Sequence, residues 1–197
     1  MRKKLIQKIT ILAVLTALSM VLKKFSIDTG EYRISLYDTP IILAGVIAGP
    51  IWGMAVAFIS DFLYSLMSGY SYSFIMMFAA LLWGLVGGLF YKKKINYILL
   101  IITIFFASIL NTAINSLQLY IWYGGGSLIA GLPLRIITMV IKWPITATIV
   151  YILYYRVVVT ELGVIFKETI KSEDIDIIID KKADKIINRK RHKIYFK

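Results

Sequence analysis

The sequence contains no cysteine, a single histidine, His192, and few acidic residues. The absence of cysteine excludes disulfides, thiolate metal sites and a cysteine nucleophile. Only four carboxylates precede residue 156, namely Asp28, Glu31, Asp38 and Asp61, and neighbouring loop carboxylates without a third ligand are weak support for a metal site. The sequence has no G-x-x-x-x-G-K-[ST] loop with which to bind ATP phosphates. We therefore expect neither an enzyme nor a protein with a resident metal or cofactor.

Apolar residues, in contrast, make up 59% of the 197 residues, and the mean hydropathy is +0.76. Soluble domains contain about 45–50% apolar residues, so this chain is expected to fold in a lipid bilayer. An apolar membrane domain, residues 1–156, precedes a charged tail, residues 157–197. The net charge is +12, but the basic residues before the tail form short clusters between apolar runs. Such clusters are typical of membrane anchoring, and we do not expect nucleic-acid binding.

Six apolar runs predict an all-α integral membrane protein with six transmembrane helices and a charged cytoplasmic C-terminal tail. The runs cover residues 9–22, 38–48, 51–67, 74–91, 95–123 and 132–155. Several of them are shorter than the length of about 20 residues that spans a bilayer comfortably. Short or tilted segments are therefore expected within the bundle.

Basic clusters at residues 2–8, 92–94 and from 156 onward fall on one side of this six-helix path. The positive-inside rule assigns that side to the cytoplasm, so both termini are predicted to be cytoplasmic. The connections 24–37, 68–73 and 123–132 then face outward and carry the residue types that bind a ligand. The tail is interpreted either as an amphipathic helix on anionic lipid or as a solvated segment that maintains the topology.

Polar residues inside apolar runs are costly in lipid and indicate a function. Asn111, Asn115 and Gln118 share one face of the fifth helix because their spacings are four and three. Interhelical hydrogen bonding and ligand contact both remain open for these amides. Arg135, near the outer end of the sixth helix, suits capture of a carboxylate, the alternative being a side chain that extends to the interface. Lys142 is expected to form an ion pair with Asp61.

Small and aromatic residues complete the pattern. Ala13 and Ala17 are four residues apart and form a flat strip on the first helix that fits an external partner helix. The glycines in the second, third and fourth helices are assigned to packing within the chain; they are Gly45, Gly49, Gly53, Gly84 and Gly88. Four aromatic residues are expected either to stack on a flat ligand or to line the membrane interface, namely Tyr70, Tyr72, Trp122 and Tyr123.

Several of these motifs, in order, resemble the substrate-binding S component of energy-coupling factor (ECF) vitamin transporters. They include Tyr32-Arg33-Ile34-Ser35, Ala48-Gly49-Pro50-Ile51-Trp52-Gly53, Ser60-Asp61-Phe62-Leu63 and Leu82-Trp83-Gly84-Leu85. The strings Leu110-Asn111-Thr112, Tyr123-Gly124 and Leu132-Pro133-Leu134-Arg135 are similar to the folate-type branch in particular. The resemblance covers roughly residues 9–155.

The resemblance implies the vitamin-binding subunit of an ECF-type ABC importer in the plasma membrane of a prokaryote. Such a subunit docks on a transmembrane coupling subunit driven by two cytoplasmic ATPases, and its docking strip corresponds to Ala13 and Ala17. The implied substrate-binding residues are Arg33, Tyr70, Tyr72, Asn111, Tyr123 and Arg135.

Folate is the favoured substrate, since a flat pterin fits aromatic and amide side chains and the glutamate carboxylates fit arginine. The folate branch usually has a Pro-Gly stretch before its fourth helix, where this chain has Tyr72–Met77. Pantothenate, riboflavin and hydroxymethylpyrimidine therefore stay open. A membrane-embedded enzyme and a regulatory membrane protein with a lipid-binding tail are the alternatives from other classes.

Overall fold

The computed structural model describes residues 2–28, 33–69, 73–93 and 95–156. Backbone amides find no water inside a bilayer, so apolar runs there fold as helices. The helices are α1 (Arg2–Lys24), α2 (Asp38–Ala48), α3 (Pro50–Ser68), α4 (Phe74–Gly88) and α5 (Tyr97–Leu153). Two short strands, β1 (Ile27–Asp28) and β2 (Arg33–Ile34), pair antiparallel between α1 and α2. The predicted tail, residues 157–197, lies outside the described residues.

A break at Gly124 divides α5 into two arms. The backbone of Gly124 has φ 79° and ψ −179°, which is not helical. The first arm is Tyr97–Gly126 and the second arm is Gly131–Arg156. The predicted separation of the apolar runs 95–123 and 132–155 into two helices is thus confirmed, and so is the six-helix fold.

Four of these helices are long and apolar enough to cross a membrane: Leu5–Lys24, Pro50–Ser68, Tyr97–Gly126 and Gly131–Arg156. The two shorter ones, α2 with 11 residues and α4 with 15, match the expectation of short segments within the bundle. Every residue of α2 is buried, because α2 contacts α1, α3, α4 and α5. A helix enclosed by protein in this way has no need to reach both membrane surfaces.

The helix boundaries differ from the predicted runs at two places. Helix α1 begins at Arg2 rather than at Ile9, since the basic N-terminal residues continue the same helix. Helix α4 ends at Gly88 rather than at Tyr91, and the chain then turns through Lys92, whose φ is 58°. The strand pair within the predicted polar connection 24–37 was not anticipated.

Glycines bring α2, α3 and α4 into backbone contact. A Cβ atom on Gly45 would lie 2.5 Å from the carbonyl oxygen of Gly84, and one on Gly53 would lie 2.6 Å from the same oxygen. A Cβ on Gly88 would lie 2.3 Å from the Cα of Pro50. The assignment of these glycines to packing within the chain is therefore confirmed. Gly49 acts differently, since its φ of 97° makes the tight turn from α2 to α3.

Helix α1 buries one polar stripe and leaves its alanines exposed. Thr16, Ser19 and Lys23 are buried at spacings of three and four residues, which places them on one face of the helix. Ala13 and Ala17 lie on an exposed face beside α3. The helices that the structure describes therefore leave the predicted docking strip uncovered.

Candidate functional site

The polar end of the bundle is where α1 ends, α2 and α4 begin and α5 breaks. Here the segment that follows β2 is tied to α1 by two hydrogen bonds. The Ser35 hydroxyl donates to the carbonyl of Leu22 at 2.7 Å, and the Ser19 hydroxyl donates to the carbonyl of Tyr37 at 3.1 Å. These bonds fix the position of Tyr37 directly before α2.

Lys23 and Asp61 form an ion pair at the polar end. Their side chains are 4% and 16% exposed, so both charges are largely removed from solvent. The Lys23 ammonium also lies 4.5 Å from the ring centroid of Tyr37 and 5.7 Å from that of Tyr64. Paired charge and aromatic rings together stabilise this cation inside the bundle.

Lys142 pairs with Asp38 and not with Asp61, so the predicted Lys142–Asp61 pair is wrong. Its ammonium lies 3.1 Å from Asp38 Oδ2, and it also lies 5.3 Å from the ring centroid of Tyr37. The reason is the helix arrangement, since α5 packs against α4 and α2 while α3 packs against α1. Asp38 is 1% exposed, and its Oδ1 has no hydrogen-bond partner within the described part of the chain.

The predicted amide face of the first arm serves two purposes. Gln118 is buried, and its Oε1 accepts a hydrogen bond from the Ser73 hydroxyl. Ser73 is also the N-cap of α4, where its Oγ accepts from the backbone amide of Met76. Gln118 therefore makes the interhelical hydrogen bond that was one of the two expectations for this face.

Asn111, seven residues earlier on that arm, has an unpaired acceptor. Its Oδ1 is buried and finds no hydrogen-bond donor among the described residues. A buried acceptor without a donor is unfavourable by about 1–3 kcal/mol. Asn111 thus presents an acceptor that a ligand N–H group would satisfy.

Arg135 joins the two arms of α5. Its Nη1 donates to the hydroxyl of Ser116 at 2.8 Å, and the side chain is half-buried. The hydrogen bond orients the guanidinium toward the first arm instead of leaving it extended along the interface. The role of Arg135 in ligand binding stays a prediction.

The family profile for the ECF transporter, substrate-specific component, matches residues 7–154 of this chain. The chain belongs to this family. As an S component it is a substrate-binding, multi-pass membrane subunit of a transporter, and not an enzyme. S components associate with an ECF energising module.

A solved structure of similar fold, described as FolT bound with folic acid, is 26% identical to this S component. The similarity covers 76% of this chain and 93% of that chain, with a TM-score of 0.68. A search of curated proteins returned no match to the S component.

The other residues predicted for the substrate site of this S component are only partly described. Tyr70 and Tyr72 lie outside the described residues, and so does the side chain of Arg33, whose backbone lies in β2 opposite Asp28. Tyr123 is 66% exposed, and its ring meets that of Trp122 edge-on with centroids 6.4 Å apart. The structure therefore brings Asn111 and Arg135 into the bundle and leaves Tyr123 on its surface.

Three residues at the polar end of the S component escaped the sequence analysis: Lys23, Tyr37 and Ser73. The spacing of Thr16, Ser19 and Lys23 is the signal that marks Lys23, because it predicts a buried polar face on α1. Tyr37 and Ser73 directly precede helices, and only Ser73 has a residue type that favours an N-cap.

Proposed function

We propose that this S component captures folate, or a closely related vitamin, outside the cell and delivers it inward. The observation that carries the proposal is the similarity to FolT bound with folic acid, which covers 93% of that chain. Two features of the described site support it, the buried acceptor of Asn111 and the guanidinium of Arg135.

Folate carries hydrogen-bond donors on its pterin ring and two carboxylates on its glutamate. The Asn111 Oδ1 matches a pterin N–H donor, and the donor would relieve its unpaired state. Arg135 matches a carboxylate, because a guanidinium forms two parallel charge-assisted hydrogen bonds with one. Arg33, Tyr70, Tyr72 and Tyr123 are the further candidates for enclosing the ligand.

Energy for uptake comes from partner subunits in this proposal. The sequence has no phosphate-binding loop of the G-x-x-x-x-G-K-[ST] type. In this proposal two cytoplasmic ATPases drive uptake through a transmembrane coupling subunit. We assign the exposed strip of Ala13 and Ala17 to contact with that subunit. We place both termini in the cytoplasm, in the plasma membrane of a prokaryote, on the distribution of basic residues.

Calorimetric titration of the full chain in mild detergent tests the substrate. Folic acid, pantothenate, riboflavin and hydroxymethylpyrimidine are titrated in parallel, and saturable binding is expected for folic acid alone. Tight binding of another vitamin with no response to folic acid would replace folate as the substrate. Silence across the panel, from a chain shown to be folded, would mean that the substrate is none of these four vitamins.

Two variants test the site. Arg135→Ala is expected to weaken folic acid binding by about 10- to 100-fold, the range for losing a charge-assisted hydrogen-bonding partner. Arg156→Ala is the matched control, since Arg156 is exposed near the far end of the second arm. Asn111→Leu is expected to weaken binding because it removes the acceptor. Equal affinities for Arg135→Ala and Arg156→Ala would exclude Arg135 from the site.

A further inference from the structure

An apolar groove of about 400 Å³ runs between α1 and α3. We call it the α1–α3 groove. Leu12 and Val56 are 5% and 3% exposed and form its base, and the alanine strip of α1 lowers one wall. The Thr16 hydroxyl donates to the carbonyl of Leu12 at 2.8 Å, so it brings no unmet hydrogen bond into the groove. The groove is therefore suited to a hydrocarbon occupant.

The rim of the groove is open. Ile9 is 48% exposed and Ile59 is 45% exposed, so no described part of the chain covers them. Both helices belong to long apolar spans, and the medium around them is lipid. The neighbouring molecules available to fill the groove are thus membrane lipids or a second membrane protein.

The length of the groove matches one leaflet of a bilayer. Its lining extends from Ile9 to Met20 on α1 and from Trp52 to Leu63 on α3. At 1.5 Å per residue each stretch is about 17 Å long. Half of a hydrocarbon core of about 30 Å is about 15 Å. An acyl chain of one leaflet would accordingly lie along the full groove.

Positive charge collects at the Ile9–Trp52 end. The Lys8 ammonium lies 5.2 Å from the ring centroid of Trp52 and donates to the carbonyl of Ala48 at 3.2 Å. A Cβ on Gly49, the residue after Ala48, would lie 3.4 Å from the ring of Tyr91, and Lys92 follows Tyr91 in the chain. Neither lysine forms a salt bridge within the described part of the chain. Two neighbouring cations without a carboxylate favour an anion at this end.

We propose that the α1–α3 groove holds an anionic phospholipid, with one acyl chain along the alanine strip and the phosphate at Lys8 and Lys92. Charge complementarity and length together select this occupant. A zwitterionic lipid fits the groove equally well but has no net charge to offset the two ammonium groups. Because Ala13 and Ala17 line the same groove, a protein that docks there displaces the lipid. This inference does not depend on the identity of the substrate.

Native mass spectrometry of the full chain tests the proposal. The protein is reconstituted in vesicles of equal parts phosphatidylglycerol and phosphatidylcholine and then released with mild detergent. The mass of the protein–lipid complex identifies the lipid that is retained. We expect one retained lipid, enriched in phosphatidylglycerol. Lys8→Gln is expected to lower that enrichment by about five-fold, the factor for one basic residue near an anionic lipid. Lys24→Gln is the matched control at the opposite end of α1.

A second pair of variants tests the acyl-chain contact. Ala17→Leu fills the groove and is expected to remove retention of both lipids, whereas Ala113→Leu, on an exposed face of the first arm, leaves it unchanged. Lys92→Gln repeats the headgroup test without disturbing the Lys8 hydrogen bond to α2. Enrichment that is unchanged in both Lys8→Gln and Lys92→Gln would overturn the proposal. So would unchanged retention in Ala17→Leu, and loss of coupling-subunit binding in that same variant would then assign the groove to protein alone.

Discussion

Lys142 Nζ lies 3.1 Å from Asp38 Oδ2, which joins the middle of the second arm of α5 to the first turn of α2. The ring of Tyr37 lies near this cation and near Lys23, so both ion pairs share one aromatic residue. Four helices thereby meet at the polar end through two pairs of charges. Each charge in such a buried pair depends on its partner, because either charge alone is strongly unfavourable inside the protein.

Asp38→Asn is expected to destabilise the chain because it leaves the Lys142 cation without a counter-charge. A loss of about 3 kcal/mol is typical of breaking a buried pair, and for a chain of this size it lowers the melting temperature by roughly 6–12 °C. Thermal unfolding in detergent measures the change. The double variant Asp38→Asn with Lys142→Met should recover most of the loss. If the double variant is no more stable than Asp38→Asn, the ion pair with Lys142 is not the reason that Asp38 stabilises the chain.

Lys23 and Lys24 are adjacent lysines with opposite environments. Lys23 is 3% exposed and paired with Asp61, whereas Lys24 is exposed. Lys23→Met is expected to lower stability by about 3 kcal/mol, because Asp61 is left unpaired. Lys24→Met is expected to change it by less than about 0.5 kcal/mol. Similar melting temperatures for the two variants would contradict the assigned pairing.

Hydropathy predicted the helices of this protein well because lipid permits few alternatives to a helix. The break at Gly124 lies where the fifth apolar run was predicted to end, at residue 123. The ion pairs were not predictable at this level. From the sequence we expected Asp61 and Lys142 to pair, because both are charged residues inside apolar runs. Which charges pair depends on which helices are neighbours, and α3 packs against α1 rather than α5.

The candidate site, too, could be predicted from the sequence only in part. The spacing of Asn111 and Gln118 correctly placed both amides on the inner part of the first arm. The two amides differ in their hydrogen bonding. Ser73, directly before α4, donates to Gln118, whereas the Asn111 acceptor has no donor among the described residues. Contacts between residues so distant in sequence follow from the tertiary arrangement and have no local signal.

Gly84→Ala is expected to disrupt the contact of α3 with α4. The added Cβ would lie 2.3 Å from the backbone carbonyl carbon of Gly53, and backbone cannot move aside as a flexible side chain can. We expect a loss of about 3 kcal/mol or failure to obtain folded protein. Gly126→Ala is the control, since nothing lies within 4 Å of the position its Cβ would take. The fraction of monodisperse protein and the melting temperature distinguish the two variants, and equal values would refute close backbone packing.

The absence of cysteine makes the orientation of the chain directly measurable. Single cysteines at Lys93→Cys and Phe25→Cys are expected to lie on opposite sides of the membrane, with Lys93→Cys facing the cytoplasm. Both positions are exposed, Phe25 to 81%. A membrane-impermeant maleimide applied to intact cells should therefore label Phe25→Cys alone. Labelling of Lys93→Cys alone would invert the proposed topology, and the unsubstituted chain is the blank.

Ser116 is expected to act on folic acid binding through Arg135. Its hydroxyl accepts a hydrogen bond from Arg135 Nη1 at 2.8 Å, so Ser116→Ala frees the guanidinium to reorient. Losing one such bond is worth about 1 kcal/mol, or about five-fold in affinity. Ser116→Thr keeps the hydroxyl and should bind nearly as the unsubstituted chain does.

The double variant decides between an indirect and a direct role for Ser116. If Ser116 only positions Arg135, then Ser116→Ala has no further effect in a chain that already carries Arg135→Ala, because residues in one network are not additive. Calorimetric titration of folic acid into the two single variants and the double variant measures this coupling. A five-fold loss that persists in the Arg135→Ala background would mean that Ser116 contacts the ligand itself.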